Sequence, residues 1–167
     1  METLDLIDKL RRDWHAQHPE LDSSAMGIVG RTILLGELMR KSAHAVLADY
    51  KIGYTDLDVL ATLRRSGTPY RLRPADLLKA ILIQSGSLTA CLDRLEKAGL
   101  IERVETPNDR RSRSVQLTAQ GVERVDAAIN TRFAEAQQFI DPLSPEEKET
   151  LEQLLRKLLL AQSNEEN

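Results

Sequence analysis

Aromatic residues make up only 4% of this chain, and cysteine occurs once, as Cys91. A single thiol excludes an intrachain disulfide framework and fits a reducing compartment. No apolar run reaches the roughly 18–20 residues of a membrane helix. The opening METLDLIDKLRRDW has none of the basic-then-apolar order of a signal peptide, so a cytoplasmic protein is expected. Gly-rich phosphate loops, zinc-ligand clusters and nucleophile elbows are also missing, which argues against an enzyme and calls for no cofactor. His15 and His18 share a helix face, but no cysteine or third histidine lies close in sequence, so no metal site is predicted. Nor is there an excess of positive charge. With 23 Lys and Arg against 26 Asp and Glu, the formal net charge is −3. That counts against a nonspecific coat for nucleic acid and turns attention to where the cations sit.

They are clustered. Arg64, Arg65, Arg71, Arg73 and Lys79 face few acids nearby, and Arg110, Arg111 and Arg113 crowd one loop. The acids gather toward the C-terminus, in Glu146, Glu147, Glu149, Glu152, Glu165 and Glu166. A basic middle with acidic flanks can present one face to phosphates and keep the rest soluble.

Apolar spacing predicts a mainly helical chain. Leu4, Ile7, Leu10 and Trp14 mark an amphipathic helix over 3–17, closed near Pro19. A long helix is expected over 25–50, with Ile28, Leu35, Leu38, Met39, Val46 and Leu47 as its stripe. Thr55 reads as an N-cap with Asp58 three places on, opening a helix that carries Leu57, Leu60, Ala61 and Leu63 to Gly67. Residues 68–73 read as a loop, and Pro74 suits the first turn of a helix burying Leu77, Leu78, Ile81 and Leu82. After the polar turn at 84–86, a helix over 87–98 places Leu88, Leu92 and Leu95 on one side. Gly99 then stops it, with Leu100 folding back. Strands are predicted over 101–105 and 114–117, with Val115 and Leu117 pointing inward. Thr118 caps a helix striped by Val122, Val125, Ile129, Phe133, Ala136 and Ile140. Ser144-Pro145-Glu146-Glu147 is a full start signal for a last helix, rich in Leu151, Leu154, Leu155, Leu158 and Leu159.

This order predicts a winged helix-turn-helix with a small β-wing, flanked by long helices. Residues 1–50 and 119–162 are expected to form a shared dimerisation lobe, 51–118 the DNA-binding unit, and 163–167 a frayed tail. The flanking stripes are too long for so small a core to cover, and a second copy of the chain is the simplest cover. The helix over 87–98 turns Ser87, Ala90, Arg94 and Lys97 outward, with Thr89 at the edge and Ser85 just ahead. Small and hydroxyl residues let such a helix sit deep in a major groove, where Ser and Thr meet base edges and an alanine methyl meets a thymine methyl. Arg94 can reach a guanine or a phosphate. Arg110, Arg111 and Arg113 on a hairpin tip suit a narrow minor groove, with Asp109 placed to hold Arg111 extended. Arg71 and Arg73 are candidate phosphate contacts.

LDRLEKAGLIER (Leu92 to Arg103) followed by DRRSRSVQLTAQG (Asp109 to Gly121) resembles the MarR family of bacterial transcriptional regulators. Trp14 with Pro19, LDVLATLRRSGTPYRLRP and SGSLTACLDRLE are similar to its urate-responsive, PecS-type branch. The resemblance implies a homodimer on a pseudo-palindromic double-stranded operator, usually as a repressor. It also implies a small anionic or phenolic effector between the dimer and DNA lobes. In that branch a tryptophan, an aspartate and two arginines attend the ligand; motif by motif these fall on Trp14, Asp58, Arg103 and position 91. Position 91 departs from the pattern, because Cys91 stands where an arginine is expected, and a thiol offers no bidentate cation to an anion such as urate. Each assignment has a plainer alternative: Trp14 as core, Asp58 as a helix cap, Cys91 as a buried thiol. Two other functions stay open at this point. One is a redox sensor acting through Cys91; the other is a constitutive, architectural DNA-binding protein.

Overall fold

The computed structural model describes residues 3–81, 88–106 and 109–163, with 106 and 109–112 described as backbone alone. In chain order the elements are α1 (Leu6–Gln17), α2 (Met26–Ala48), α3 (Tyr54–Arg65), β1 (Arg71–Leu72), α4 (Pro74–Ala80), α5 (Leu88–Lys97), β2 (Ile101–Thr106), β3 (Asp109–Leu117), α6 (Ala119–Ile140) and α7 (Pro145–Ser163). This is the expected helical architecture with a small wing.

Local chemistry explains most boundaries. Asp5 caps α1 by accepting from the Asp8 N–H at 2.9 Å, while Asp8 accepts from the Asp5 N–H at 3.2 Å. Ser144 and Glu147 form the same reciprocal pair ahead of α7, at 2.8 and 3.3 Å. Thr118 Oγ1 accepts from Gly121 N at 3.0 Å and starts α6. Gly99, at φ 72°, closes α5. There the Leu100 N–H reaches Leu95 O at 3.0 Å and the Gly99 N–H reaches Glu96 O at 2.9 Å. That double closure is a Schellman motif, and a left-handed residue at its turn favours glycine.

Several expectations are corrected. Thr55 does not cap α3, and neither does Asp58: the helix begins at Tyr54, and Asp56 accepts from the Gly53 N–H at 2.8 Å. Residues 68–73 are not all loop, because Arg71 and Leu72 pair with Gln116 and Val115 and add an edge strand, giving the order β1-β3-β2. Helix α4 stops at Ala80; Ile81 beyond it is buried, but Leu78 is 48% exposed instead of buried, and Leu82 lies outside the described residues. The arginines expected on a loop lie in β3, which starts at Asp109. Its register with β2 shifts between Glu105 and Thr106, so β3 carries extra residues near the tip. Of the frayed tail expected over 163–167, Ser163 is the last residue of α7 and the rest lies outside the described residues.

One core joins Leu57, Leu60 and Leu63 of α3, Leu77 of α4, Leu92 and Leu95 of α5, Val115 and Leu117 of β3, and Val125 and Ala128 of α6. Polar ties fix the long helices around it. Arg31 of α2 bridges Asp5 and Asp8 of α1 at 2.7 and 2.6 Å. Arg64 of α3 grips Asp126 of α6 with two hydrogen bonds of 2.8 and 3.1 Å. By contrast, α7 buries none of its residues within the chain, and Ile28, Ile33, Leu38, Phe133, Leu154 and Leu158 all stand largely exposed. No described helix is long and apolar enough to cross a membrane.

Candidate functional site

Helix α5 packs by Leu92 and Leu95, with Leu88 half-buried, and turns Thr89, Ala90, Arg94 and Lys97 to the outside. The described residues expected on the outer face of this helix are therefore found there. Ser85 and Ser87, ahead of it, lie outside the described residues. Hairpin β2–β3 follows directly, and Arg113 is exposed opposite Glu105. The side chains of Asp109, Arg110 and Arg111 lie outside what is described.

Two of the basic residues expected at phosphates are oriented by the protein itself. Arg71 Nε donates to Gln116 Oε1 at 2.7 Å, across the β1–β3 pair. Arg73 meets Asp76 in a two-bond contact of 2.6 and 3.2 Å at the start of α4. Arg94 sits on the outer face with its side chain 57% exposed, yet its guanidinium is directed onto Asp56 at 2.5 Å. Asp56 takes Nε and Nη2, and the exposed remainder of the guanidinium keeps further N–H donors.

Asp56 is the residue the sequence reading missed. It is buried and collects three donors from two segments: Gly53 N at 2.8 Å ahead of α3, and Cys91 Sγ at 3.2 Å and Arg94 on α5. Burial alone would raise its carboxyl, but the hydrogen bonds from Arg94, Gly53 and Cys91 outweigh that and hold it below the usual carboxylate range. The same neighbourhood acts oppositely on Cys91. Burial first, then the Asp56 carboxylate, push its thiol up to about 12. A protonated, enclosed thiol is a poor nucleophile toward oxidants. The signal for Asp56 was present as a carboxylate three places after Gly53, hidden by the hydroxyl of Thr55, which mimics a cap.

The four effector residues do not converge within the chain. Asp58 lines a cavity of about 250 Å³ between α3 and α6, together with Tyr54, Leu57, Arg65, Arg132 and Phe133. Cys91 faces Asp56 instead. Arg103 of β2 is held by ion pairs to Asp93 and Glu96 of α5, tying the wing to that helix. Trp14 is 46% exposed on α1, so it is not a core residue, and its ring lies 5.8 Å from that of His18. Among the described residues no group of three or more His, Cys, Asp or Glu could hold a metal ion.

Residues 52–112 match the MarR family. The HTH-type transcriptional regulator PecS of Dickeya dadantii is 33% identical over 149 residues, which span 89% of this chain and 90% of PecS. The multiple antibiotic resistance protein MarR of Salmonella typhimurium is 34% identical over 133 residues, spanning 78% of this chain and 90% of that protein. The crystal structure of a cysteine-to-serine mutant of MarR from E. coli, complexed with operator DNA, is similar with a TM-score of 0.69 at 26% identity, covering 93% of this chain and 99% of that one. With a small-faced helix and a β-hairpin side by side on the same core, the chain belongs to the MarR family and is a DNA-binding transcriptional regulator of the winged helix-turn-helix type.

Proposed function

We propose that this regulator is a homodimeric repressor that sets two α5 helices and two β2–β3 hairpins on a pseudo-palindromic operator and leaves it when a small effector binds. The observation that carries the reading is the pairing of α5, outward with Thr89, Ala90 and Lys97, with the arginine-bearing strand β3. Two-fold symmetry then asks for half-sites about one helical turn, roughly 10 bp, apart. Residues 51–118 form the DNA-binding unit in this reading, and the helices of 1–50 and 119–162 form the shared lobe. Support for the lobe comes from the apolar residues that α2 and α7 leave exposed, among them Ile28, Ile33, Leu38, Leu154, Leu158 and Leu159. The E. coli MarR mutant of similar fold is complexed with operator DNA.

The effector site in this reading is the α3–α6 cavity, which joins the two units and mixes apolar walls with Asp58, Arg65 and Arg132. A small anionic or aromatic molecule fits that lining. Cys91, the position where the resemblance expects an arginine for urate, lies outside this lining and is turned to Asp56.

A mobility shift with DNA from its own promoter region tests the proposal. Binding should survive nonspecific competitor; equal binding to any duplex favours an architectural role. Arg111→Ala should weaken operator binding by roughly 1–3 kcal/mol and lower the salt slope by about one unit, whereas an unchanged salt titration removes the hairpin from the interface.

A further inference from the structure

The guanidinium of Arg94 is held by one of its edges only. The carboxylate that holds it is itself set by other groups. The Gly53 N–H donates to one oxygen of Asp56, Oδ2, at 2.8 Å, and the Cys91 thiol donates to the other, Oδ1, at 3.2 Å. Against this fixed plane Arg94 lays Nη2 on Oδ1 at 2.5 Å and Nε on Oδ2 at 3.4 Å. Asp56 is buried while the Arg94 side chain is 57% exposed, so the edge made by Nη1 and the outer N–H of Nη2 is turned away from the protein. The acids beside it on α5, Asp93 and Glu96, are ion-paired with Arg103 of β2 and do not compete for that edge. Thr89 and Ala90, nearer the start of α5, are exposed and small, and leave room for a close approach to the helix.

A guanidinium gripped at its Nε edge keeps two parallel N–H donors at its tip. In a major groove only guanine sets two acceptors, O6 and N7, side by side. Adenine puts an amino group beside N7, cytosine presents a donor, and thymine has one acceptor and a methyl group. Because Asp56 already orders the long side chain, that entropic cost falls on folding and not on docking. The pair also carries no net charge. It therefore releases few counterions at a phosphate, yet keeps the direction of its donors. Arg71 is the contrast, since its partner Gln116 is neutral and its whole charge stays available to a phosphate. We infer that Arg94 is the specificity-determining residue that reads one guanine in each half-site, and that Asp56 is the positioning residue that fixes its reading edge. The inference rests on α5 being the groove-facing helix.

The test uses the whole chain and a duplex selected from random sequence by its binding to the wild type, with each base pair of one half-site then exchanged in turn. At one G·C pair, exchange to A·T should weaken wild-type binding roughly 5- to 150-fold, the worth of one bidentate arginine–guanine contact. 7-Deazaguanine at that position, which lacks N7, should weaken it as well. Arg94→Ala should bind the original and exchanged duplexes within about twofold of each other, with its salt slope and its other preferences unchanged. Arg94→Lys keeps the charge but not the fork, and should lose the same preference. Asp56→Asn keeps an oxygen for Gly53 but leaves Arg94 with a net charge. It should blunt the preference and steepen the salt slope by up to about 0.9 per subunit. In the free wild type the Arg94 Nε–H should give a slowly exchanging NMR signal that Arg94→Lys lacks, which checks the positioning role without relying on the folding of an Asp56 variant. Wild-type preferences at every position in Arg94→Ala overturn the reading role. So does an affinity lost equally on all sequences with a salt slope lowered by about 0.9 per subunit, which would mean a phosphate contact. Full preference in Asp56→Asn, a blunted preference without the steeper slope, or an Arg94 Nε–H that exchanges as fast as in free arginine overturns the positioning role. Failure of the wild type to select any duplex would instead refute the operator-binding reading beneath it.

Discussion

Replacing Asp56 with alanine removes one acceptor from three donors at once, and the structure allows the loss to be divided. The Gly53 N–H at the start of α3 loses its cap, which is worth about 1 kcal/mol. The Cys91 thiol, fully enclosed, loses a weak bond and keeps no acceptor, adding somewhat less than about 1 kcal/mol. Arg94 contributes little, because its side chain is 57% exposed and water replaces the carboxylate, so about 0.5 kcal/mol is assigned to that pair. The expected total is about 2 kcal/mol, or a fall in Tm of roughly 4–8 °C for a chain of this size. Urea denaturation of both proteins at one fixed concentration measures it, since a dimer's stability depends on concentration. Asp56→Asn keeps an oxygen for Gly53 and should lose about half as much. A loss under about 0.5 kcal/mol for the alanine variant would refute the division, because neither the cap nor the thiol bond would then matter.

Acid supplies an independent check on the same residue. The Asp56 carboxyl is held below its ordinary value of 3.8 in the folded state, so its charge stabilises the fold fully above that value. The contribution is lost as the pH falls through the lower, folded-state pKa. The stability gap between wild type and Asp56→Asn should therefore be constant near neutrality and narrow below about pH 4. A gap that widens in acid would mean that the carboxyl is raised, not lowered.

Three further outcomes are expected. Gly121→Ala should be among the most damaging single changes, by upwards of about 2 kcal/mol, since a Cβ there would stand 2.0 Å from the backbone oxygen of Leu100; a Tm within a degree of wild type would contradict that close approach. Peroxide should leave operator binding intact in wild type and Cys91→Ser alike, because the thiol is enclosed and pushed up to about 12; loss in the wild type alone would restore the redox reading. Leu158→Glu, on the uncovered face of α7, should lower the mass seen by sedimentation and weaken DNA binding with it, while an unchanged mass would move the subunit contact elsewhere.

Much of the fold was legible because helices announce themselves locally. The stripes through Leu35 and Leu47, through Val125 and Ile129, and through Leu154 and Leu158 each lie within one element, and the Ser144 and Thr118 caps act within three residues. Strand β1 was illegible for the opposite reason. Its two residues are too few to show alternation, and their partners Gln116 and Val115 lie more than 40 residues away in sequence. Likewise, nothing local tells whether Arg110 sits on a loop or in a strand whose register shifts at its tip.

Helix geometry separates two acidic residues that the motif match did not distinguish. Residues two apart on an α-helix point about 200° away from each other. On α3 that separates Asp56, which turns to α5 and meets Cys91 and Arg94, from Asp58, which turns to the α6 cavity. The motif match assigned one acidic residue to the ligand and left the other unremarked, because a sequence shows that both are carboxylates but not which neighbour each faces. Once the helix start is moved from Thr55 to Gly53, the roles divide: Asp56 braces α5, and Asp58 borders the cavity together with Arg65. Cys91 and Arg94 both serve Asp56 from α5, one as a thiol donor and the other as its cation. Exchanging the two residues as Cys91→Arg with Arg94→Cys would put a guanidinium on the inner side of α5, where Cys91 is 1% exposed, and a long charged side chain does not fit there without unseating the helix.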